Sequence, residues 1–179
     1  ALADCGCKSV ALSLELTLEQ MRKMNGMIQK EVLVHGAAPL MVSRHCIAGS
    51  VLGGKSEHQS CVKPCQKNRY YLKDRKGVDF PFLLDKHCRM HIFNSREHCL
   101  ISDLKQIKNA GITTVRLDLR LHSDWEAARI AAYYREAIDA VNREINIDLT
   151  AFTEKLQKCS KNGFTKGHFY RGVMEGEHN

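Results

Sequence analysis

The sequence predicts an α/β protein that is either part of a TIM-like barrel or a small open sheet. Short apolar runs alternate with helical segments, the first β-α-β unit spans fewer than about thirty residues, and only three prolines interrupt the 179-residue chain. The β-α units are too few to close a barrel of eight strands, so they form part of one or a small open sheet. We expect the partial barrel over residues 1–145. Residues 146–179 then add a helix near Leu149–Lys158 and a glycine-rich tail.

The first β-α-β unit lies near the start of the chain. The run "SVALSLEL" (Ser9–Leu16) is typical of a buried parallel strand. Thr17, followed three residues later by Gln20, forms a capping box that predicts a helix ending at Gly26. The segment "EVLVHG" (Glu31–Gly36) is the next predicted strand.

Residues 46–88 interrupt this alternation, and we interpret them as an insertion between barrel elements. The preceding segment "PLMVSRHC" (Pro39–Cys46) is extended in character. The insertion contains four cysteines and a predicted hairpin, in which "NRYYLKD" and "VDFPFLLD" flank the turn "RKG". Pro81 predicts that the second hairpin strand lies at a sheet edge.

Regular alternation returns after the insertion. "RMHIF" (Arg89–Phe93) is a predicted strand, and Ser102–Gly111 is a predicted helix with an N-cap serine and a C-cap glycine. Apolar and polar residues alternate along Ile112–Leu121, which predicts a further strand. Ser123 and Glu126 form a second capping box, which predicts a long helix.

Composition limits the partners and the compartment. The net charge of +7 permits an acidic partner such as RNA, although the basic residues are scattered. No apolar run approaches the roughly 20 residues of a membrane helix, and no signal peptide is visible. The apolar pattern supports a core without disulfides, so the eight cysteines favour a reducing, cytoplasmic compartment. Clustered cysteines there more often bind metal or perform redox chemistry.

One stretch matches the phosphate-binding P-loop pattern. "GSVLGGKS" (Gly49–Ser56) fits G-x-x-x-x-G-K-[ST], but a P-loop also needs a helix that begins at its Lys-Ser pair. The residues after Ser56 have no helical period, and Pro64 lies where that helix should continue. We therefore predict a glycine-rich turn that does not bind nucleotide.

The cysteines give a stronger signal. Cys46, Cys61, Cys65 and Cys88 lie in or beside the irregular region, where a loop can direct several thiolates to one point. Four thiolates suit Zn²⁺ or an iron–sulfur cluster, and four thiols with no shared role are the alternative. The neighbouring histidines could substitute as ligands: His45, His58, His87 and His91. The other cysteines are interpreted as packing residues: Cys5, Cys7, Cys99 and Cys159.

Candidates for catalysis are few. His35 and Gly36 end a predicted strand, where parallel barrels carry catalytic residues. Arg44 and His45 follow, and an arginine there could bind a carboxylate substrate. Asp118 and Arg120 share a polar strand face and could simply pair with each other.

Several of these motifs resemble the peptidase U32 family. They occur in the family's order and span almost the whole chain: "EVLVHGAAPLMVSRHC", "SCVKPC", "YYLKDRKGVDFPFLLDKHCRMHIFNS" and "GFTKGHFYRGV", which includes His168. Members of this family are longer, so the resemblance implies a fragment of a TIM-like barrel that begins in its middle and holds its later units. The helix-like start "ALADCGC", with Gly6 as a C-cap, agrees with that expectation.

The resemblance implies oxygen-independent hydroxylation of RNA or of a quinone precursor by an iron–sulfur enzyme. In such members four cysteines hold a 4Fe-4S cluster, and the matching positions here are Cys46, Cys61, Cys65 and Cys88. In an aerobically purified fragment we expect zinc or an empty site. Collagenase-like proteolysis and a structural metal-binding module are the alternatives, although neither H-E-x-x-H nor G-x-S-x-G is present. We also expect such a fragment to be inactive alone and to self-associate through exposed sheet edges.

Overall fold

The protein has a mixed α/β fold with one seven-stranded sheet that does not close. A computed structural model describes residues 4–24, 26, 28–54, 56 and 58–171. The chain forms two compact units, one of Ala1–Gly36 with Arg96–Asn179 and the other of Ala37–Ser95. Within the described residues no helix is long and apolar enough to cross a membrane. The α/β class is confirmed, whereas the barrel stays a prediction.

The first unit is built mainly on parallel strand pairs. Strand β1 (Ser9–Ala11) pairs with the start of β2 (Gln29–Ser43), and β2 pairs in parallel with β6 (Thr114–Leu117). The end of β5 (Met90–Cys99) pairs in parallel with β7 (Phe164–Thr165). The helices of this unit are α1 (Leu18–Lys23), α2 (Leu104–Asn109), α3 (Asp124–Asn142) and α4 (Thr150–Gln157).

Both predicted capping boxes are present. At α1 the Thr17 hydroxyl accepts a hydrogen bond from the Gln20 backbone N–H at 3.1 Å, and the Gln20 side chain accepts one from the Thr17 N–H at 2.8 Å. Ser123 and Glu126 make the same reciprocal pair at α3. These caps satisfy backbone donors that a helix start leaves unpaired, which is why the local sequence predicts them well.

Several predicted boundaries in the first unit are wrong. Strand β1 stops at Ala11, while β2 continues past Gly36 to Ser43. Helix α2 begins at Leu104 rather than at Ser102, because Ser102 donates its hydroxyl hydrogen to the buried Asp103 carboxylate instead of capping the helix. The predicted end of α2 is correct, since Gly111 follows it with a φ of 72°.

The second unit contains the predicted hairpin. Strands β3 (Tyr70–Lys73) and β4 (Asp79–Leu84) are antiparallel, and β4 also pairs with the start of β5. The edge position predicted for β4 is therefore wrong, because β3 occupies that edge. Pro81 is tolerated because the ladder between β4 and β5 begins at Phe82, so its missing N–H removes no bond from that ladder. A small core supports this unit, formed by Ala48, Phe82, Met90 and Ile92.

Candidate metal centres

The four predicted cysteines line a single cavity in the second unit. The cavity has a volume of about 520 Å³, and Cys46, Cys61, Cys65 and Cys88 all contribute to its wall. All four are free thiols, three partly buried and Cys88 exposed. The remaining wall is polar or glycine: Gly49, Ser56, His58, Gln59, Ser60 and Lys63.

A tight turn brings Cys46 towards Cys61. One π-helical turn (Ala48–Leu52) follows Cys46, and the Gly49 N–H donates a hydrogen bond to the Cys46 sulfur at 3.2 Å. The Val62 N–H then bonds the Gly53 carbonyl at 3.0 Å. As a result, the sulfurs of Cys46 and Cys61 lie 3.3 and 3.5 Å from the point that a Cβ on Gly49 would occupy.

Left-handed backbone conformations orient the other thiols. Lys63 has a φ of 52°, and its N–H donates to the Cys61 sulfur at 3.3 Å. Pro64 then opens a 3-10 turn (Pro64–Gln66) that carries Cys65. Cys88 itself has a φ of 59° and donates its N–H to the Asp85 carbonyl at 2.9 Å. Such conformations cost a non-glycine residue about 1–2 kcal/mol, so the surrounding bonds must hold them in place.

The Asp85 carboxylate holds the turn that carries Cys88. It accepts hydrogen bonds from the backbone N–H groups of His87 and Arg89, each at 2.9 Å, and from the Arg89 guanidinium at 2.6 Å. Burial alone would raise the pKa of Asp85, but these bonds and the contact with His91 lower it on balance. The carboxylate therefore stays ionised and fixes both sides of the turn.

The four thiols are close enough to influence one another. Burial raises the pKa of the Cys65 thiol, and the neighbouring Cys46, Cys61 and Cys88 raise it further. Neighbouring thiolates repel one another, and a bound cation relieves that repulsion. Across the described part of the chain, only one group of three potential ligands has its atoms all within 4.8 Å of one another, and it contains no cysteine. No three of the four sulfurs therefore lie within 4.8 Å of one another, whereas the edges of a tetrahedral zinc–thiolate site are roughly 3.8 Å.

The catalytic candidates Arg44 and His45 are not among the residues that line the thiol cavity, whereas the alternative ligand His58 is. Arg44 lines an open depression of about 380 Å³ with His87 and Arg89. His45 is exposed, and its Nε2 lies 3.4 Å from the Ser50 hydroxyl. The catalytic roles of Arg44 and His45 stay predictions.

The P-loop match has an unsuitable local structure. Its first residues, 49–52, are themselves coiled in the π-helical turn, and the described residues between 56 and 63 form no helix. Lys55 lies outside the described residues. The absence of nucleotide binding stays a prediction.

The assignment of the remaining cysteines to packing is wrong for Cys5 and Cys7, which are exposed, whereas Cys99 and Cys159 are buried.

A second group of potential ligands lies in the first unit. His35 on β2, Glu97 on β5 and His122 in the loop before α3 bring two ring nitrogens and a carboxylate together. The Nε2 atoms of His35 and His122 lie 3.8 and 3.4 Å from the nearer Glu97 oxygens. His35 is fully buried, and His122 is 9% exposed.

Burial shifts the ionisation of this group. It lowers the pKa of His35 to about 3, with smaller contributions from His122 and His98. It raises the pKa of Glu97 to about 7, to which the charge of Glu126 adds. In the absence of a cation, His35 is therefore neutral at pH 7. Glu97 is then partly protonated, because pH 7 is close to its pKa.

Only His35 of this second group was among the predicted site residues. Residues 35, 97 and 122 are separated by 62 and 25 positions, and no short motif links them. The strand-end argument for His35 is wrong in detail, because β2 continues to Ser43. Its backbone nonetheless changes direction there, since Gly36 has a φ of 114° and the β2–β6 register shifts between Leu33 and His35.

The side chains of Asp118 and Arg120 pair with each other, which is the simpler role predicted for them from the sequence. The Arg120 guanidinium donates to both Asp118 oxygens, at 2.9 and 2.6 Å.

In the C-terminal motif, Lys166 and Tyr170 bond the buried Asp103, and Gly167 packs against the His98 ring. This motif therefore anchors the C-terminal segment to the first unit, and His168 has no assigned role.

Comparison with known proteins gives the family. The 23S rRNA 5-hydroxycytidine synthase of Escherichia coli is 25% identical over 146 residues, which are 80% of this chain and 21% of that protein. The tRNA hydroxylation protein P of the same organism is 22% identical, covering 97% of this chain and 48% of that protein. An uncharacterized protease of Methanocaldococcus jannaschii is 24% identical, covering 93% and 42%.

The chain thus spans less than half the length of these relatives. No solved structure matches it significantly. The profile of peptidase family U32 matches residues 1–179, which is the whole chain. The protein belongs to peptidase family U32.

Proposed function

We propose that this chain is part of an iron–sulfur enzyme that hydroxylates an RNA base without molecular oxygen. The observation that carries the proposal is the single cavity lined by Cys46, Cys61, Cys65 and Cys88. The relatives named for rRNA and tRNA hydroxylation supply the reaction class. A thiolate-bound cluster also suits a reducing compartment such as the cytoplasm.

The donor set fits a 4Fe-4S cluster better than it fits one zinc ion. A cluster binds one thiolate at each iron, so its sulfur ligands stand further apart than ligands of a mononuclear site. That no three of these sulfurs lie within 4.8 Å of one another agrees with that arrangement, and so does the cavity of about 520 Å³. Backbone N–H groups of Gly49 and Lys63 already donate to two of the sulfurs, as they would to cluster thiolates.

The residues of this chain would hold and shield the cluster. Replacing C–H by C–OH on a base is a two-electron oxidation, so it needs an oxygen-atom donor such as water and an external two-electron acceptor. A bound cluster would relay the electrons from the base to that acceptor. The basic depression of Arg44, His87 and Arg89 belongs to the same unit as the thiols and could bind RNA phosphates. We further propose that the open sheet is part of a TIM-like barrel in the longer protein.

The test is anaerobic purification followed by iron and sulfide analysis and visible absorption. Wild-type protein should contain stoichiometric iron and acid-labile sulfide, with the broad absorption of a cluster. Cys61→Ser should remove most of both, because it deletes a ligand at the centre of the turn. Cys5→Ser is the matched control, since Cys5 is exposed and lies outside the cavity wall.

The reaction is tested on RNA from cells that lack the protein. Complementation with wild-type protein should restore a nucleoside that is heavier by one oxygen, detected by mass spectrometry, and Cys61→Ser should not. The collagenase-like alternative predicts instead that wild-type protein cleaves gelatin and that Cys61→Ser retains this cleavage. Absence of iron from wild-type protein kept free of oxygen would contradict the proposed cluster.

A further inference from the structure

We propose that His35, Glu97 and His122 bind a divalent transition-metal ion, Zn²⁺ or Fe²⁺, in the first unit. This site would be separate from the thiol cavity, which belongs to the second unit. It goes beyond the proposed function because it uses other residues and a different class of donor atom. Either proposal can fail while the other holds.

Hydrogen bonds fix the ring of His35 in the form that binds a metal. The Tyr134 hydroxyl donates to the Val34 carbonyl at 2.9 Å, so its hydrogen is already used. The His35 Nδ1 lies 3.4 Å from the same hydroxyl oxygen and must therefore be the donor. The proton of the neutral ring is then on Nδ1, and the lone pair of Nε2 faces the Glu97 carboxylate. A second nitrogen held in this way is the usual support of a metal-binding histidine.

Two of the proposed ligand atoms are buried without a hydrogen bond. Within the described residues, neither His35 Nε2 nor Glu97 Oε2 has a hydrogen-bond partner. The His35 side chain is only 1% exposed, so bulk water does not satisfy it. Buried polar groups in proteins are almost always satisfied, and a shared cation would satisfy both of these at once.

The spacing of the ligand atoms suits one ion. Zinc bonds of about 2.0–2.2 Å to nitrogen and oxygen give ligand-to-ligand distances of about 3.4 Å in a tetrahedron. The two histidine nitrogens lie 3.8 and 3.4 Å from Glu97 oxygens, and all three ligand atoms fall within 4.8 Å of one another. An ion at the centre would require only small side-chain movements.

The type and number of ligands point to an open metal site. Two imidazoles with one carboxylate occur in catalytic zinc sites and in non-haem iron(II) sites, where further positions take water or substrate. The buried Cys99 lies nearby on β5 but contacts the Tyr134 hydroxyl instead, at 3.8 Å. The proposed ligand atoms are therefore nitrogen and oxygen only, whereas those of the thiol cavity are sulfur.

Close backbone contacts hold the His122 loop beside His35. The Asp118 N–H donates to the His35 carbonyl at 2.9 Å, and a Cβ on Gly36 would overlap the Asp118 carbonyl. The loop from residue 118 to residue 122 can approach β2 this closely because residue 36 is glycine. The His122 N–H in turn bonds the Leu119 carbonyl at 3.0 Å. The third ligand is thus positioned by backbone contacts rather than by chance proximity.

The experiment uses cobalt(II) as the probe in the protein that carries Cys61→Ser and Cys65→Ser, which weakens the thiol site. We expect one equivalent of cobalt to bind, with visible d–d bands and without the thiolate charge-transfer band. Adding Glu97→Gln, which keeps the side-chain size, should weaken cobalt binding by at least about tenfold. His122→Gln should do the same.

The matched control is His98→Gln, which removes another buried histidine next to Glu97 in the sequence. It should leave cobalt affinity within about twofold. Thermal unfolding gives a second measurement, because cobalt should raise the Tm of the parent variant and of His98→Gln but not that of Glu97→Gln. If the double cysteine variant is not folded, the same titration is done on wild-type protein whose thiols already hold their metal. A folded protein that binds no cobalt through nitrogen and oxygen, or equal affinity in Glu97→Gln and His98→Gln, would overturn the proposal.

Discussion

At the scale of single residues, Gly53 controls how closely the chain can approach Cys61. Its φ of −92° is open to any residue, so conformational freedom does not explain the glycine. A Cβ there would lie 2.5 Å from the Cys61 sulfur and 2.8 Å from the Gly49 carbonyl oxygen. The glycine-rich turn was predictable from the sequence, whereas the close contact between Gly53 and the Cys61 sulfur depends on the fold.

We predict that Gly53→Ala displaces Cys61 and lowers cluster content. Overpacking of this kind typically costs about 1–3 kcal/mol. The matched control is Gly49→Ala, whose Cβ would lie 3.3 Å from the Cys46 sulfur, a close contact that small shifts relieve. Iron per chain after anaerobic purification should fall clearly more in Gly53→Ala than in Gly49→Ala. Equal iron contents in the two variants would contradict this account.

At the scale of elements, the two turns of the second unit are built alike. Asp74 Oδ1 accepts the N–H groups of Lys76 and Val78 between β3 and β4, at 2.8 and 2.9 Å. Asp85 Oδ1 accepts those of His87 and Arg89 between β4 and β5. Only the second turn carries a cysteine. Matched substitutions in the two turns therefore distinguish an effect on hairpin stability from an effect on the position of the cysteine ligand.

We predict that Asp85→Asn reduces cluster content and that Asp74→Asn does not. The amide lacks the charge that binds Arg89 and weakens the bonds that hold Cys88 in its left-handed conformation. Iron and sulfide analysis measures the effect, and far-UV circular dichroism checks that both variants are folded. The idea fails if both substitutions lower iron to the same extent, because a general weakening of the hairpin would then explain the loss.

Local elements were predicted well, and elements set by distant contacts were not. Capping boxes at Thr17 and Ser123 depend on residues three apart, so the sequence contains all the information they need. The predicted start of α2 is wrong because Ser102 bonds the buried Asp103 carboxylate, which Lys166, 63 positions away, also binds. The predicted edge position of β4 is wrong because its ladder with β5 begins at Phe82, after Pro81, and the sequence does not contain that register.

At the scale of the whole molecule, each unit carries one candidate metal centre. The thiol centre was predictable, since its cysteines lie within 43 positions in one irregular region and match a family pattern. The group of His35, Glu97 and His122 was not, because its members come from three segments that only the fold brings together. Self-association through sheet edges stays a prediction.

The net charge of +7 is a property of the whole molecule and attracts RNA phosphates. We therefore predict that the protein binds single-stranded RNA and that its affinity falls as the salt concentration rises. Arg44 is exposed, and it lines the depression shared with His87 and Arg89. If it contacts a phosphate, Arg44→Ala should lower affinity severalfold and reduce the slope of log affinity against log salt by about 0.7.

Lys158→Ala is the matched control for this prediction, because it removes the same charge from an exposed position on the first unit. Fluorescence anisotropy with a labelled RNA at several salt concentrations measures both variants. A general electrostatic attraction would weaken binding equally in the two. A specific phosphate contact changes the salt slope in Arg44→Ala alone, since only a residue at the interface releases counterions when RNA binds. Equal slopes in the two variants would place the RNA elsewhere on the protein.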